Sequence, residues 1–224
     1  MKPIESAITA TATPPVSLRA GPGRPRNFDA DEALAAALRV FWSHGYEGAS
    51  LAELTRAMGI TKPSLYNTFG NKEALFRQAF DLYEREKLSY MRAALEAPTA
   101  REVVERLLRG ALSAQLEADD PKGCLSVLSI AACGPEAESV RNEVVARRAS
   151  SIQALVDRLR QARDIGDLPR DADPDGLARL VSAIVTGLCA QAGSGATSSE
   201  IQGLVAAALS LWPVSPAPHI NGRV

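Results

Sequence analysis

The sequence predicts an all-α fold, on three observations. Apolar residues recur at helical spacing through most of the chain, no segment sustains strand alternation, and start and stop signals recur at helix-length intervals. Asp29 with Glu32, Ser50 with Glu53, Thr99 with Glu102 and Thr197 with Glu200 each stand at capping-box spacing. In such a pair the cap oxygen takes an orphan helix N–H while the acid reaches back. Gly45, Gly59, Gly70, Pro98, Pro121, the Gly134–Pro135 pair and the run GDLPRDADP at 166–174 supply the stops.

These signals place about nine helices. The first, near 29–44, opens at Asp29 and closes at Gly45. The second, 50–58, runs from Ser50 to Gly59, and the third, 62–69, from the cap Thr61 to Gly70. Helix 72–96 is next, roughly 25 residues and about 37 Å long. Helix 99–118 starts at Thr99, 122–133 follows Pro121, and 136–163 runs to the 166–174 linker. Helix 174–192 begins with Pro174 after the cap Asp173, a first-turn proline that costs no hydrogen bond. The last, 198–212, opens at Thr197 and stops at Pro213. Residues 1–23 and 213–224 carry Pro and small residues without helical period and are expected as tails. The expected division is therefore 24–71 and 72–212, between two tails.

Composition excludes several functions. The 224 residues hold 25 Lys+Arg against 26 Asp+Glu, so a wholly basic nucleic-acid coat is excluded while a local patch is not. No apolar run is expected to reach the roughly 20 residues of a membrane span, and residues 1–20 lack a signal-type apolar core. A soluble cytoplasmic protein with no membrane partner is expected. The two histidines are His44 and His219, and Cys124, Cys133 and Cys189 lack metal-ligand spacing. No cofactor, metal site or catalytic residue is therefore assigned, and an enzyme built on the helical body is the weaker alternative. His44 is expected to end the first helix, where the dipole favours it. Ten of the eleven aromatics fall between Phe28 and Tyr90, so the two parts of the chain are built differently.

The informative stretch is 23–76. Leu51, Leu54 and Met58 share one face of the second helix, Gly59 ends it, and Thr61 caps the third, where Leu65 and Phe69 point inward together. Lys62, Ser64, Asn67 and Thr68 are left outward. Two short helices, a glycine turn and a polar outer face describe a helix-turn-helix whose second helix suits a major groove; a buried three-helix scaffold is the alternative. From Arg19 to Phe28 there are three basic residues and no acid, and from Thr61 to Lys72 two more and no acid. Phosphate neutralisation needs this local concentration. Arg24 and Arg26 on a Gly-Pro frame fit a narrow minor groove, or else form a solvated linker.

The run FWSHGYEGASLAELTRAMGITKPSLYNTFGNKEALF at 41–76 resembles the DNA-binding domain of the TetR/AcrR family of bacterial transcription regulators. Gly45-Tyr46, Ser50, Gly59-Ile60, Leu65-Tyr66, Phe69 and Lys72-Glu73-x-Leu75 carry the likeness. It implies an N-terminal DNA-binding domain and a C-terminal effector-binding and dimerisation domain. It further implies phosphate contacts from Tyr66 and Lys72, and double-stranded operator DNA and a second copy of the chain as partners. Thr61 and Ser50 join this set at the helix starts. Lys62, Pro63, Ser64, Asn67 and Thr68 are then expected to face base edges. The implied function is a ligand-released repressor on a palindromic operator; a regulator without an effector is the alternative.

For the body, the resemblance implies a dimer face on the last two helices, whose apolar stripes carry Leu180, Ile184, Leu188, Ile201, Leu204, Val205 and Leu209, while core burial is the plain alternative. Between Met91 and Leu211 there is no aromatic residue or histidine. An effector pocket there is expected to be aliphatic, lined by Leu108, Leu112, Cys124, Leu128 and Val156, and to take a small aliphatic or weakly polar molecule rather than a planar dye. Part of the chain, KGCL at 122–125 and DLPRDADP at 167–174, resembles a branch that includes a copper-responsive regulator; the missing imidazoles and spaced thiols argue against copper here. Cys124, in the first turn of its expected helix beside Lys122, reads as packing or as a thiol sensor.

Overall fold

The computed structural model describes residues 28–117, 120–131 and 137–213. Arg24, Arg26, Cys133 and nearly all of both expected tails lie outside them. Among the described residues there are ten helices and no strand: α1 (Ala30–Gly48), α2 (Leu51–Ala57), α3 (Lys62–Phe69), α4 (Lys72–Glu86), α5 (Ser89–Leu95), α6 (Ala100–Leu116), α7 (Leu125–Ala131), α8 (Glu138–Asp164), α9 (Pro174–Gly193) and α10 (Ser198–Ser210).

The caps explain the starts. The Asp29, Ser50, Thr61, Asn71 and Thr99 side chains each accept a backbone N–H in the first turn that follows them. Thr197 and Glu200 form the full reciprocal box, with Thr197 N donating to Glu200 Oε2 at 2.7 Å. Asp173 caps α9 ahead of Pro174. Two of the other expected acids are drawn elsewhere: Glu53 meets His44 Nε2 at 3.2 Å, which ties the end of α1 to α2, and Glu102 meets Arg106 at 3.7 Å. Gly45 has φ +70, so the helix proper ends there as expected and a short turn continues to Gly48.

The N-terminal aromatics form one core. Phe41 and Phe76 meet edge to face at 5.2 Å, Tyr46 and Phe76 likewise at 5.2 Å, and Trp42 and Tyr83 at 4.8 Å. With Leu54, Leu65 and Phe69 they bury the inner faces of α1–α4, and the same core takes in Leu125 of α7 and Val140 and Val144 of α8. A second, aliphatic core gathers α5, α6, α9, α10 and the C-terminal part of α8. The expected boundary at residue 71 thus falls inside the first core, which continues to Tyr83.

One expectation is corrected between these cores. The single helix 72–96 is broken at Lys87–Leu88, where Leu88 N bonds back to Tyr83 O in an over-wide turn. No Gly or Pro marks the break. Its cause is tertiary: Lys87 Nζ is held at 2.5 Å by Asp120 and at 2.9 Å by Glu117, while the Tyr90 ring lies against Gly110, where a Cβ would collide with it. Helix 122–133 is also shorter at its start, so Cys124 precedes α7 as its cap, with Leu128 N bonding to Cys124 O.

The expectation of no membrane-length run is corrected too. By length and composition alone α9 could cross a membrane, but it packs on α6 and α8 and presents its remaining apolar face outward.

An ion-pair lattice, which the sequence reading missed, joins α4 to α8. Arg77 bonds Glu143 and Glu73, each at 2.6 Å; Arg147 bonds Asp81 and Glu84 at 2.6 Å and Glu143 at 2.8 Å. Burial raises the Glu143 pKa, but the bonds from Arg77 and Arg147 outweigh it and hold the carboxyl below its usual range. A carboxyl depressed on folding stabilises above its unfolded pKa of about 4.3, and that stability fades as pH falls through the folded value. Glu143→Gln is therefore expected to lower stability by about 1 kcal/mol at neutral pH, since the site is only partly buried. Denaturant titrations of the two proteins should converge below about pH 4; a gap that persists into strong acid contradicts this account.

Candidate nucleic-acid interface and the cavity behind it

The outer face of α3 is built from below. Leu65 and Phe69 are buried and fix its height and rotation over the first core. The turn Met58–Gly59–Ile60, with Gly59 at φ +65, sets the crossing from α2 to α3. What remains outward is Thr61, Lys62, Pro63, Asn67 and Thr68, all exposed, with Tyr66 at 46% exposure unusually open for a large ring. Ser64 is half-buried, and its hydroxyl meets that of Thr61 at 2.9 Å. Its first role is therefore in the cap. Ser50 is exposed at the start of α2, where it takes the N–H of Glu53. Pro63 sits in the first turn of α3, where no hydrogen bond is lost.

Lys72 lies at the start of α4. Its Nζ stands 4.6 Å from the Tyr46 ring centroid and 3.5 Å from Glu47 O, so the ammonium is fixed between the end of α1 and the start of α4. The fold thus gathers the expected set except Arg24 and Arg26: a polar helix face, a phenol at its edge, and a lysine at each flank. No acidic side chain stands on α3 itself.

Behind this unit a cavity of about 640 Å³ opens between the cores. Only Cys124 of the five expected pocket residues lines it. Leu108 and Val156 are buried in the second core, Leu112 packs against that core, and Leu128 against the first. The expected aliphatic wall is also corrected. Phe80, Tyr83 and Tyr90 line the cavity, because α4 and α5 reach over the aromatic-free body and bring their rings with them. Burial pushes the phenols of both tyrosines up, so they stand there as neutral donors. Arg148 faces the same space, bonded to Thr186 Oγ1 at 3.1 Å and Ser126 Oγ at 3.4 Å, and among the described residues it has no carboxylate partner. Sequence reasoning missed Arg148 because it is one of six arginines on α8 and spacing does not single it out.

A buried link connects cavity and head. Trp42 Nε1 of α1 donates to Gly123 O at 3.2 Å, and Gln115 Nε2 of α6 donates to the same oxygen at 3.2 Å. Gly123 N returns a 2.8 Å bond to Gln115 Oε1.

The expected dimer residues divide. Leu188, Ile201, Val205 and Leu209 are buried inside the single chain, where α9 and α10 close the second core. Leu180 is 52% exposed, and Ile184 and Leu204 are half-buried.

Residues 33–79 match the model of the bacterial regulatory proteins, tetR family. The HTH-type transcriptional repressor ComR of Escherichia coli K12 is 32% identical over 193 residues, which is 85% of this chain and 92% of that protein. A cysteine-substituted form of the TetR family transcriptional regulator CifR, solved with a 26-base-pair operator duplex, is 43% identical; the match covers 85% of this chain and all of that one, at a TM-score of 0.80. A TetR regulator from Rhodococcus sp. RHA1 is 36% identical across 83% of this chain, at a TM-score of 0.58. Likeness in sequence over nearly the whole described chain, together with the α1–α3 geometry, places the protein in the TetR family of bacterial regulatory proteins.

Proposed function

We propose that the protein is a homodimeric operator-binding repressor, released by a small effector held between α4, α5, α8 and α9. The carrying observation is the outer face of α3: exposed polar side chains, no acid, and Lys62 and Lys72 at its flanks, on a rigid apolar footing. Tyr66 and Lys72 would meet phosphates and position the head, while Lys62, Asn67 and Thr68 would read base edges. The operator-bound CifR structure and the repressor ComR support the reading, and both support a regulatory rather than catalytic protein working with the chromosome in the cytoplasm.

The face left open on α9 and α10 supports the dimer. Leu180, Ile184 and Leu204 are incompletely covered, and a Cβ at Gly187 would meet nothing within 4 Å, so a second backbone could approach closely. Two such heads would engage successive major grooves of a palindrome about one helical turn apart. An effector in the cavity would touch Phe80 and Tyr83 of α4, the helix that carries Lys72 at its other end, and so bias the spacing of the heads. Arg148 favours an effector with an acceptor group at one end of an otherwise apolar body.

The test is a band-shift series with the chain's upstream DNA at several salt concentrations. Lys72→Ala is expected to weaken binding to all sequences alike and to reduce the salt slope by about one unit. Asn67→Ala should instead cost about 1–3 kcal/mol on the operator alone. A folded Lys72→Ala protein with unchanged affinity and salt slope refutes the docking geometry.

A further inference from the structure

Two thiols from distant parts of the chain meet at the inner wall of the cavity. Cys124, which caps α7, and Cys189, near the end of α9, both line the cavity with free thiols, and one amide ties them together: Gln115 Nε2 bonds Cys189 Sγ at 3.7 Å and the neighbouring Gly123 O at 3.2 Å. Cys124 Sγ stands 2.9 Å from Ser126 Oγ and takes the Tyr83 hydroxyl at 3.6 Å. Cysteines buried only for packing behave as small apolar side chains and need no such donors.

The surroundings divide the pair. The Cys189 thiol, working against burial and joined by Ser126, Tyr83 and the Val127 N–H, holds Cys124 well below the ordinary thiol range. The hydrogen bond to Cys124, with burial, pushes Cys189 up. Lys122, expected to assist Cys124, instead bonds Glu117 O. Cys124, the more exposed of the two and the one with hydroxyls from Ser126 and Tyr83 at its sulfur, is thus placed as the nucleophile.

We propose that Cys124 and Cys189 form an oxidisable dithiol, a modification site for hydroperoxides that enter the effector cavity. Its chemistry stands alone, while its consequence rests on the ligand-released repressor reading. The Cys124 thiolate attacks the distal peroxide oxygen; an S–O bond forms, the O–O bond breaks, and the alkoxide leaves and takes a proton to become the alcohol. Cys124 is then a sulfenic acid. The Cys189 sulfur gives up its proton and attacks that of Cys124; the S–S bond forms, the S–O bond breaks, and hydroxide leaves with the proton as water. Two thiols are oxidised by two electrons, and the peroxide is reduced to alcohol and water.

The position of the pair connects this chemistry to the head. Bringing the sulfurs to a bonded separation of about 2.05 Å draws residue 124 toward α9. The neighbouring Gly123 O holds Trp42 of α1, and the Cys124 sulfur holds Tyr83 of α4. Both helices carry the wall on which α3 rests, so a shift at 123–124 reaches the DNA-facing surface.

The experiment treats the reduced full-length protein with hydrogen peroxide or cumene hydroperoxide, maps disulfides by non-reducing digestion and mass spectrometry, and measures operator affinity before and after. A Cys124–Cys189 linked peptide is expected, with a fall in affinity of about tenfold or more that dithiothreitol reverses. Cys189→Ser should stop at a dimedone-trappable sulfenic acid on Cys124, and Cys124→Ser should resist oxidation at Cys189. Oxidised wild-type protein lacking that peptide, or linked through Cys133 instead, overturns the site. The mapped disulfide with operator affinity unchanged overturns the coupling. Reduced protein that fails to bind operator at all, while the disulfide still maps, overturns the repressor reading and leaves the dithiol standing.

Discussion

The double substitution Leu180→Glu with Ile184→Glu is expected to leave a folded monomer that no longer holds its operator. Leu180 is 52% exposed and Ile184 half-buried in the single chain, so the charges meet water there and helical content should be unchanged. Across a two-fold axis each residue lies near its own copy, so four carboxylates would be brought together or desolvated. Burying an unpaired charge costs about 3–5 kcal/mol, which by itself weakens a dimer by about two to nearly four orders of magnitude. Monomeric heads then bind half-sites singly, and the advantage of engaging both at once is lost. Sedimentation that returns a native dimer for this variant places the contact elsewhere on the molecule.

Phe76→Ala is expected to have the largest effect on folding. The ring is 2% exposed and touches Phe41, Tyr46 and Phe80, so it is the hub of the aromatic core. Removing a buried phenyl costs about 3–5 kcal/mol, a large part of the stability of most domains. Tyr46 also holds Lys72 beneath its face, so the same change frees the lysine. Operator binding should fall together with the melting temperature. A melting temperature within a few degrees of wild type shows that the surrounding rings refill the space.

How far the sequence could be read depended on where each signal resides. Caps are local, so Asp29, Ser50, Thr61, Thr99, Asp173 and Thr197 marked their helices directly, and the paired inward positions Leu65 and Phe69 implied the outward face of α3. The break at Lys87–Leu88 was illegible because its cause lies some 30 residues away, in Glu117 and Asp120. The cavity was misjudged for a related reason. Counting aromatics within the body alone ignored Phe80, Tyr83 and Tyr90, which enter from the preceding helices. Apolar periodicity also could not separate an interface from a core, and Leu188 and Leu180, on one stripe by spacing, end in opposite environments. The meeting of Cys124 and Cys189 spans 65 positions and leaves no trace in spacing.

The first core, which draws Leu125, Val140 and Val144 from the body, has a consequence for modularity. A chimaera that takes residues 28–71 from this chain and grafts them on a foreign body would lose α4, and with it Phe76, Phe80 and Tyr83. A graft cut after Glu86 would keep those rings but strand them without the three aliphatic neighbours and the Arg77–Glu143 tie. Donor and recipient would have to match across the seam formed by α4, α7 and the first turns of α8. The reading head is therefore not an interchangeable part, and specificity transplanted between such proteins should travel as single side chains on α3 rather than as whole domains.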